Sequence, residues 1–113
     1  MEYGSLDELF LKQAVIKVEE KLSDGTFDFD EFALAMASSK STLHRKLKSL
    51  TGLSPGEFIR NIRLKHAAQM LINNKGNISE IAFSVGFNDP KYFSRCFKSE
   101  FGLKPREYQE SKK

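Results

Sequence analysis

Apolar residues recur along nearly the whole chain at the three- and four-residue spacing of a helix, and no stretch alternates convincingly with the period of two that marks a strand. Leu6, Phe10, Ala14, Val18 and Leu22 fall on one face behind Ser5 and Glu8, whose spacing is that of a capping box. Ser23-Asp24-Gly25 ends that helix. Asp28 and Glu31 form a second box and open a short helix through about Ala37, and Ser39 caps a third from about Lys40 to Leu50, closed by Gly52. Ser54-Pro55-Gly56-Glu57 opens the longest helix, to about Asn73, with proline at a position where the missing N–H costs nothing. Its apolar residues form two overlapping stripes, Phe58/Ile59/Ile62 and Leu64/Ala67/Ala68/Met70/Leu71, as suits a helix packed on one lobe at its start and another at its end. Asn77 with Glu80 opens a fifth helix carrying Ile78, Ile81, Ala82 and Val85. After the turn Gly86-Phe87-Asn88, Asp89-Pro90 opens a sixth through about Phe101, and Pro105 starts a short last one beyond Gly102.

A repeat organises this series. Ser41–Phe58 and Lys91–Tyr108 align fifty residues apart, with Arg45/Arg95, Lys48/Lys98, Ser49/Ser99, Gly52/Gly102, Leu53/Leu103, Pro55/Pro105 and Glu57/Glu107 identical. Leu43/Phe93, Leu47/Phe97 and Phe58/Tyr108 keep apolar character. Each copy follows a short helix and a tight turn, so each lobe reads as a helix-turn-helix whose second helix can enter a major groove. Counted from Ala33 to Arg45 and from Ala82 to Arg95, the two turns differ by one residue. The expected fold is all-α: two helix-turn-helix subdomains of homeodomain-like, three-helix type joined by a long linker helix, about seven helices in all. Residues 1–53 would hold an N-terminal helix and the first subdomain, 54–74 the linker, and 75–113 the second subdomain.

Charge sharpens the picture. The net charge of +3 divides into nine acids against three bases in residues 1–31 and six acids against fifteen bases in residues 32–113. Ser38–Thr51 carries Lys40, Arg45, Lys46 and Lys48 without an acid. A charge run is usually a solvated face; recurrence at matched positions of a repeat favours a polyanion that itself repeats, as duplex DNA does. No apolar run approaches the roughly 20 residues of a membrane span, and no signal peptide opens the chain. The single Cys96 excludes an internal disulfide, fits a reducing cytoplasm and reads as a small buried hydrophobe.

Residues in the first turn of a recognition helix, and one turn on, face the groove. This selects Lys40, Ser41, His44, Arg45 and Lys48 in the first lobe and Lys91, Ser94, Arg95 and Lys98 in the second. Arginine can bond guanine O6 and N7 together, so Arg45 and Arg95 lead as base readers, with a phosphate clamp as the alternative. Lys48, Lys98 and the amino ends of the helices at Pro55 and Pro105 suit phosphates. Leu43, Leu47, Phe93 and Phe97 fall on the core face. Tyr92 reads equally as core edge or phosphate contact, His44 equally as a DNA contact or a plain surface residue, and His66 as packed or surface.

Ile78-Ser-Glu-Ile-Ala-Phe-Ser-Val-Gly-Phe, Asp89-Pro-Lys-Tyr-Phe-Ser-Arg-Cys-Phe-Lys and Phe101-Gly-Leu-Lys-Pro-Arg-Glu-Tyr resemble the AraC/XylS family of bacterial transcription regulators, and the resemblance runs from about Phe29 to Tyr108. Ser39–Leu53 and Phe58-Ile-Arg-Asn-Ile-Arg-Leu-Lys-His-Ala-Ala-Gln-Met-Leu resemble most the output modules that end hybrid two-component sensor-regulators. The resemblance implies a sequence-specific, cytoplasmic DNA-binding regulator, an activator by the family's commoner mode, with double-stranded DNA as partner and RNA polymerase as a second. The module itself is expected to be monomeric and to touch no membrane, with dimerisation supplied by the full-length protein. Ala37 departs from the pattern by standing where the family usually has glycine. A left-handed backbone there would cost about 1 kcal/mol.

Rival functions are weaker. Asp24–Phe32 mimics the second half of an EF-hand, but the register that puts Glu31 at position twelve puts Leu22 where a core carboxylate belongs. One cysteine and two distant histidines give no zinc spacing. With no glycine-rich phosphate loop and no nucleophile–base spacing, neither an enzyme nor a cofactor is expected. A helical module for an acidic protein partner is the live alternative, and the matched Arg/Lys positions argue for DNA over it.

Overall fold

The computed structural model describes residues 5–113, apart from the side chain of Ser5, on which the first expected capping box depends. The elements are α1 (Ser5–Glu20), α2 (Phe29–Ala35), α3 (Lys40–Thr51), α4 (Pro55–Ile72), α5 (Ile78–Ser84), α6 (Pro90–Phe101) and α7 (Pro105–Ser111), with no strand among the described residues. The caps form at the expected residues, although the box expected of Asp28 and Glu31 is closed from the Asp28 side alone. Asp28 accepts from the Glu31 N–H, Ser39 from Thr42, and Asn77 and Glu80 close a reciprocal box. Asp89 accepts from the Lys91 N–H beside Pro90, and Gly52 and Gly102 end α3 and α6 in left-handed conformations. Each cap removes an orphan donor or acceptor from a helix end, worth about 1 kcal/mol.

The chain forms two compact units, one of residues 1–21 and 27–62 and one of residues 22–26 and 63–113, so α4 begins in the first and ends in the second. In the first unit Ala14, Val18, Phe32, Leu43 and Leu47 are fully buried, with Phe58, Ile59 and Ile62 of α4 close to it. Phe32 stacks on Phe58 at 5.9 Å and meets Phe27 at 5.8 Å. The apolar face expected of α1 is only partly used. Ala14 and Val18 are buried, but Leu6 is 79% exposed, because burial by this unit stops short of the helix's first turns.

The second unit packs Leu64, Ala67, Ala68 and Leu71 of α4 on Ile81, Ala82, Val85, Phe87, Phe93 and Phe97. Aromatic rings run through it from Phe87 to Phe93 (5.2 Å), Phe97 (5.7 Å) and Tyr108 (5.2 Å). Leu22 packs against this core rather than completing the α1 face, since α1 ends at Glu20 and the following loop belongs to the second unit. Cys96 is half-buried at the core edge rather than inside.

Candidate nucleic-acid interface

Two helices present the predicted residues. On α3, Leu43 and Leu47 are fully buried, and this fixes the rotation of the helix. Lys40, Ser41, His44, Arg45 and Lys48 are consequently exposed on the other side. Ser41, His44, Arg45, Lys48 and Ser49 line one shallow open groove of about 580 Å³. On α6, Phe93 and Phe97 play the same anchoring part, leaving Lys91, Arg95 and Lys98 exposed and Ser94 half-buried. The i, i+4 spacing of the anchors and the i, i+3 spacing of Arg and Lys place the two sets on opposite faces.

The two arginines stand in different surroundings. The Arg95 guanidinium lies over the Tyr92 ring at 5.6 Å, and Tyr92 leans on Phe87 at 6.0 Å. Tyr92 is thus a half-exposed shelf under Arg95. Thr42 occupies the matching place before Arg45 and offers no ring. On α3 the ordering is instead at the amino end. Lys40 Nζ pairs with the Asp30 carboxylate at 2.6 Å and sits 4.7 Å over the Phe29 ring, which meets the His44 imidazole edge-on at 6.3 Å. Neither Phe29 nor Asp30 stood out in the sequence, because both read as part of the amino end of α2.

Arg63 also escaped the sequence reading, masked by the apolar stripes around it. Only 9% exposed, it donates from Nη1 to the Gly86 carbonyl at 3.1 Å and from Nη2 to the Asp24 carbonyl at 2.7 Å. Burial lowers its pKa and Asp24 offsets part of that; an arginine starts so high that it stays charged. It ties the loop after α1 to the turn between α5 and α6. The only advance notice was an arginine inside a buried stretch, which demands such partners.

Three acids of the calcium-loop lookalike, Asp24, Asp28 and Asp30, have other employment. Asp24 accepts from the Thr26 N–H and hydroxyl, Asp28 caps α2, and Asp30 pairs with Lys40. At the start of α4 the Ser54 N–H donates to Glu57 at 2.8 Å. That bond first, then the Ser54 hydroxyl, holds the Glu57 carboxyl below the usual carboxylate value, with smaller help from Lys48 and Arg60. Glu107 receives the Lys104 N–H in the same way at 3.0 Å, but Lys104 has no hydroxyl to return the bond.

Two anchored, basic second helices after tight turns define a helix-turn-helix protein, and the model of the helix-turn-helix domain family matches residues 32–111. The chain belongs to that family, in its AraC-type branch. It is 47% identical over 106 residues to histidine kinase P4 of Formosa agariphila, covering 94% of this chain and 8% of that protein. It is 38% identical over 105 residues to the HTH-type transcriptional activator RhaS of Mannheimia succiniciproducens, covering 93% of this chain and 38% of that one. The chain therefore spans well under half of either relative. Among solved structures it resembles the DNA-binding domain of AdpA, a global transcriptional factor, in complex with a target DNA. That match has a TM-score of 0.80 at 27% identity and covers 89% of this chain and 90% of that one.

Proposed function

We propose that this chain is the DNA-reading output module of a larger two-component regulator, an activator of transcription working in the compartment that holds the DNA. In this reading α3 and α6 enter successive major grooves of a promoter site. Lys40, Ser41, His44, Arg45, Lys48, Lys91, Ser94, Arg95 and Lys98 contact the duplex, and RNA polymerase is engaged by the bound protein. The observation that carries it is the pair of matched faces. Arg45/Arg95 and Lys48/Lys98 are exposed at repeat-equivalent positions, while Leu43/Phe93 and Leu47/Phe97 are buried behind them. The AdpA domain, found on a target DNA, supports the same use of the fold. No catalytic role is assigned, and of the relative named as a histidine kinase the chain covers 8%.

The module is monomeric in this reading, because the apolar faces of α3 and α6 are consumed inside the units. The exposed Leu6, Leu9 and Ile16 of α1 are left for the rest of a longer protein. Two modules linked by that protein would tighten binding to paired sites by roughly 10²–10⁴-fold. Binding to duplex DNA should weaken linearly in log–log with salt. Arg45→Ala or Arg95→Ala should each cost about 1–3 kcal/mol on the cognate site and relax preference at one base pair. Lys48→Ala or Lys98→Ala should weaken all sequences alike and reduce the salt slope by about one. Equal loss for every sequence from the arginine variants would make them phosphate clamps.

A further inference from the structure

Lys40 is the first residue of α3 and one of the proposed DNA contacts, yet its ammonium already has an anion. Asp30 Oδ1 lies 2.6 Å away, and the half-buried Phe29 ring stands 4.7 Å beneath the same ammonium. Both partners come from the amino end of α2, so two successive residues supply a counter-charge and a π face to one lysine. A DNA phosphate would ask for the same ammonium, and the two anions cannot both hold it at contact distance without repelling each other. Resting on the DNA-binding reading above, we propose that Asp30 and Phe29 form an intramolecular latch on Lys40. A DNA phosphate must displace the Asp30 carboxylate, so Asp30 sets how strongly the module binds and not which sequence it prefers.

The latch belongs to one recognition helix only. Aligning Ala33 with Ala82 puts Ser79 opposite Asp30, and the fifty-residue repeat puts Pro90 opposite Lys40, so α6 has neither the acid nor the cation. Its strength is bounded by its exposure. The Lys40 and Asp30 side chains are 55% and 68% exposed, and such pairs are worth about a five-fold change in an equilibrium at most. That scale suits a trim on affinity that DNA can overcome, and it is too small to hold the protein off its site. Phe29 also meets His44, so releasing Lys40 leaves the ring in place against the imidazole.

The test is a double-mutant cycle on duplex binding at low salt, read on a cognate site and on a scrambled duplex. Asp30→Asn should tighten both by about 2–5-fold, leave their ratio unchanged, and lose the gain as salt rises. Glu31→Gln, which removes the neighbouring exposed acid, reports the general effect of net charge and should give clearly less. In a Lys40→Ala background Asp30→Asn should give no more than Glu31→Gln. A full gain in that background, or no gain in the wild-type one, overturns the latch. If Lys40→Ala leaves affinity unchanged while Arg45→Ala weakens it, the latch falls and DNA reading stands. If neither Arg45→Ala nor Arg95→Ala affects binding, the DNA reading itself fails. A purely structural pair would show as a lowered melting temperature in Asp30→Asn with unaltered DNA affinity, which also overturns the proposal.

Discussion

The two turns that precede the recognition helices use the same backbone device in opposite surroundings. Ala37 has φ 52° and Gly86 φ 93°, both in the left-handed region. Ala37 is exposed, and its methyl group bears only the local cost of that conformation. Gly86 is buried, and a Cβ there would lie 2.5 Å from the Leu22 carbonyl and 2.7 Å from the Arg63 guanidinium carbon. The second turn is also one residue longer. The longer turn carries Phe87 into the core and sets Asn88 against Gly25, whose missing side chain leaves room for the Asn88 amide. The same motif is therefore a free-standing turn in the first unit and a walled one in the second, held there by Arg63 and the loop after α1. The residue a turn needs depends on its walls as much as on its dihedrals.

The largest test of this contrast is the pair Gly86→Ala and Ala37→Gly. Gly86→Ala should lose about 2–5 kcal/mol of stability by denaturant unfolding, the sum of a left-handed Cβ and overpacking against a backbone carbonyl. Ala37→Gly should go the other way, by about 0.5–1 kcal/mol, relief of strain outweighing the added entropy of the unfolded chain. Equal and small effects at both sites would mean that the wall around Gly86 yields. Next comes the wall itself. Arg63→Met keeps the packing stem but strips the Gly86 and Asp24 carbonyls of their donors, and should cost about 2–4 kcal/mol. Hydrogen exchange should then rise in the turn after α5 and in residues 22–26, and stay unchanged in the first unit.

Much of this was open to reading in the chain. The seven helices of the described residues, their caps at Asp28, Ser39, Asn77 and Asp89, and the buried faces of α3 and α6 follow from local spacing and hydrogen-bond chemistry. Ala37 stood out as a residue where the family usually has glycine, and its φ of 52° meets the left-handed condition on which its strain depended. Long-range assignments were not legible. Nothing local says that Leu22 leaves the α1 face for the other unit's core, that Leu6 is left uncovered, or that Arg63 finds two carbonyls 39 and 23 residues away in sequence. Those depend on which surfaces meet, and periodicity is silent about it. At the interface the same limit holds. The pattern selected the exposed residues of α3 and α6 but not the Tyr92 shelf under Arg95 or the Asp30 partner of Lys40, which are contacts between neighbouring elements or turns.

The arginines extend the contrast to binding. The Arg95 guanidinium is confined over Tyr92, and under the proposed function it would meet DNA in that state, whereas Arg45 has Thr42 in that place. If Arg95 reads a base pair as proposed, Tyr92→Leu should lower selectivity at that base pair by about 2–5-fold, the value of an exposed cation–π contact. Tyr92→Phe, which keeps the ring, should restore it, and neither should alter selectivity attributed to Arg45. Uniform weakening on all sequences, with Tyr92→Phe as poor as Tyr92→Leu, would show the hydroxyl to be a phosphate contact instead.

The smallest expected effect compares the amino ends of α4 and α7. Ser54 and Glu57 exchange bonds in both directions, whereas Glu107 receives the Lys104 N–H without a hydroxyl in return. The Glu57 carboxyl is held below its ordinary value, chiefly by the Ser54 N–H. A carboxylate whose pKa is lower folded than unfolded binds fewer protons when folded, so it stabilises the fold above its unfolded pKa and loses that contribution as pH falls through the folded value. Glu57→Gln should accordingly flatten the loss of stability below about pH 4.5 and change little at pH 7 beyond the charge-assisted part of the cap. Because Glu57 is fully exposed the change is small, and it is best read as a shift in the acid limb of the melting-temperature profile. Identical acid limbs in wild type and Glu57→Gln would show that the box at α4 contributes no pH dependence of its own.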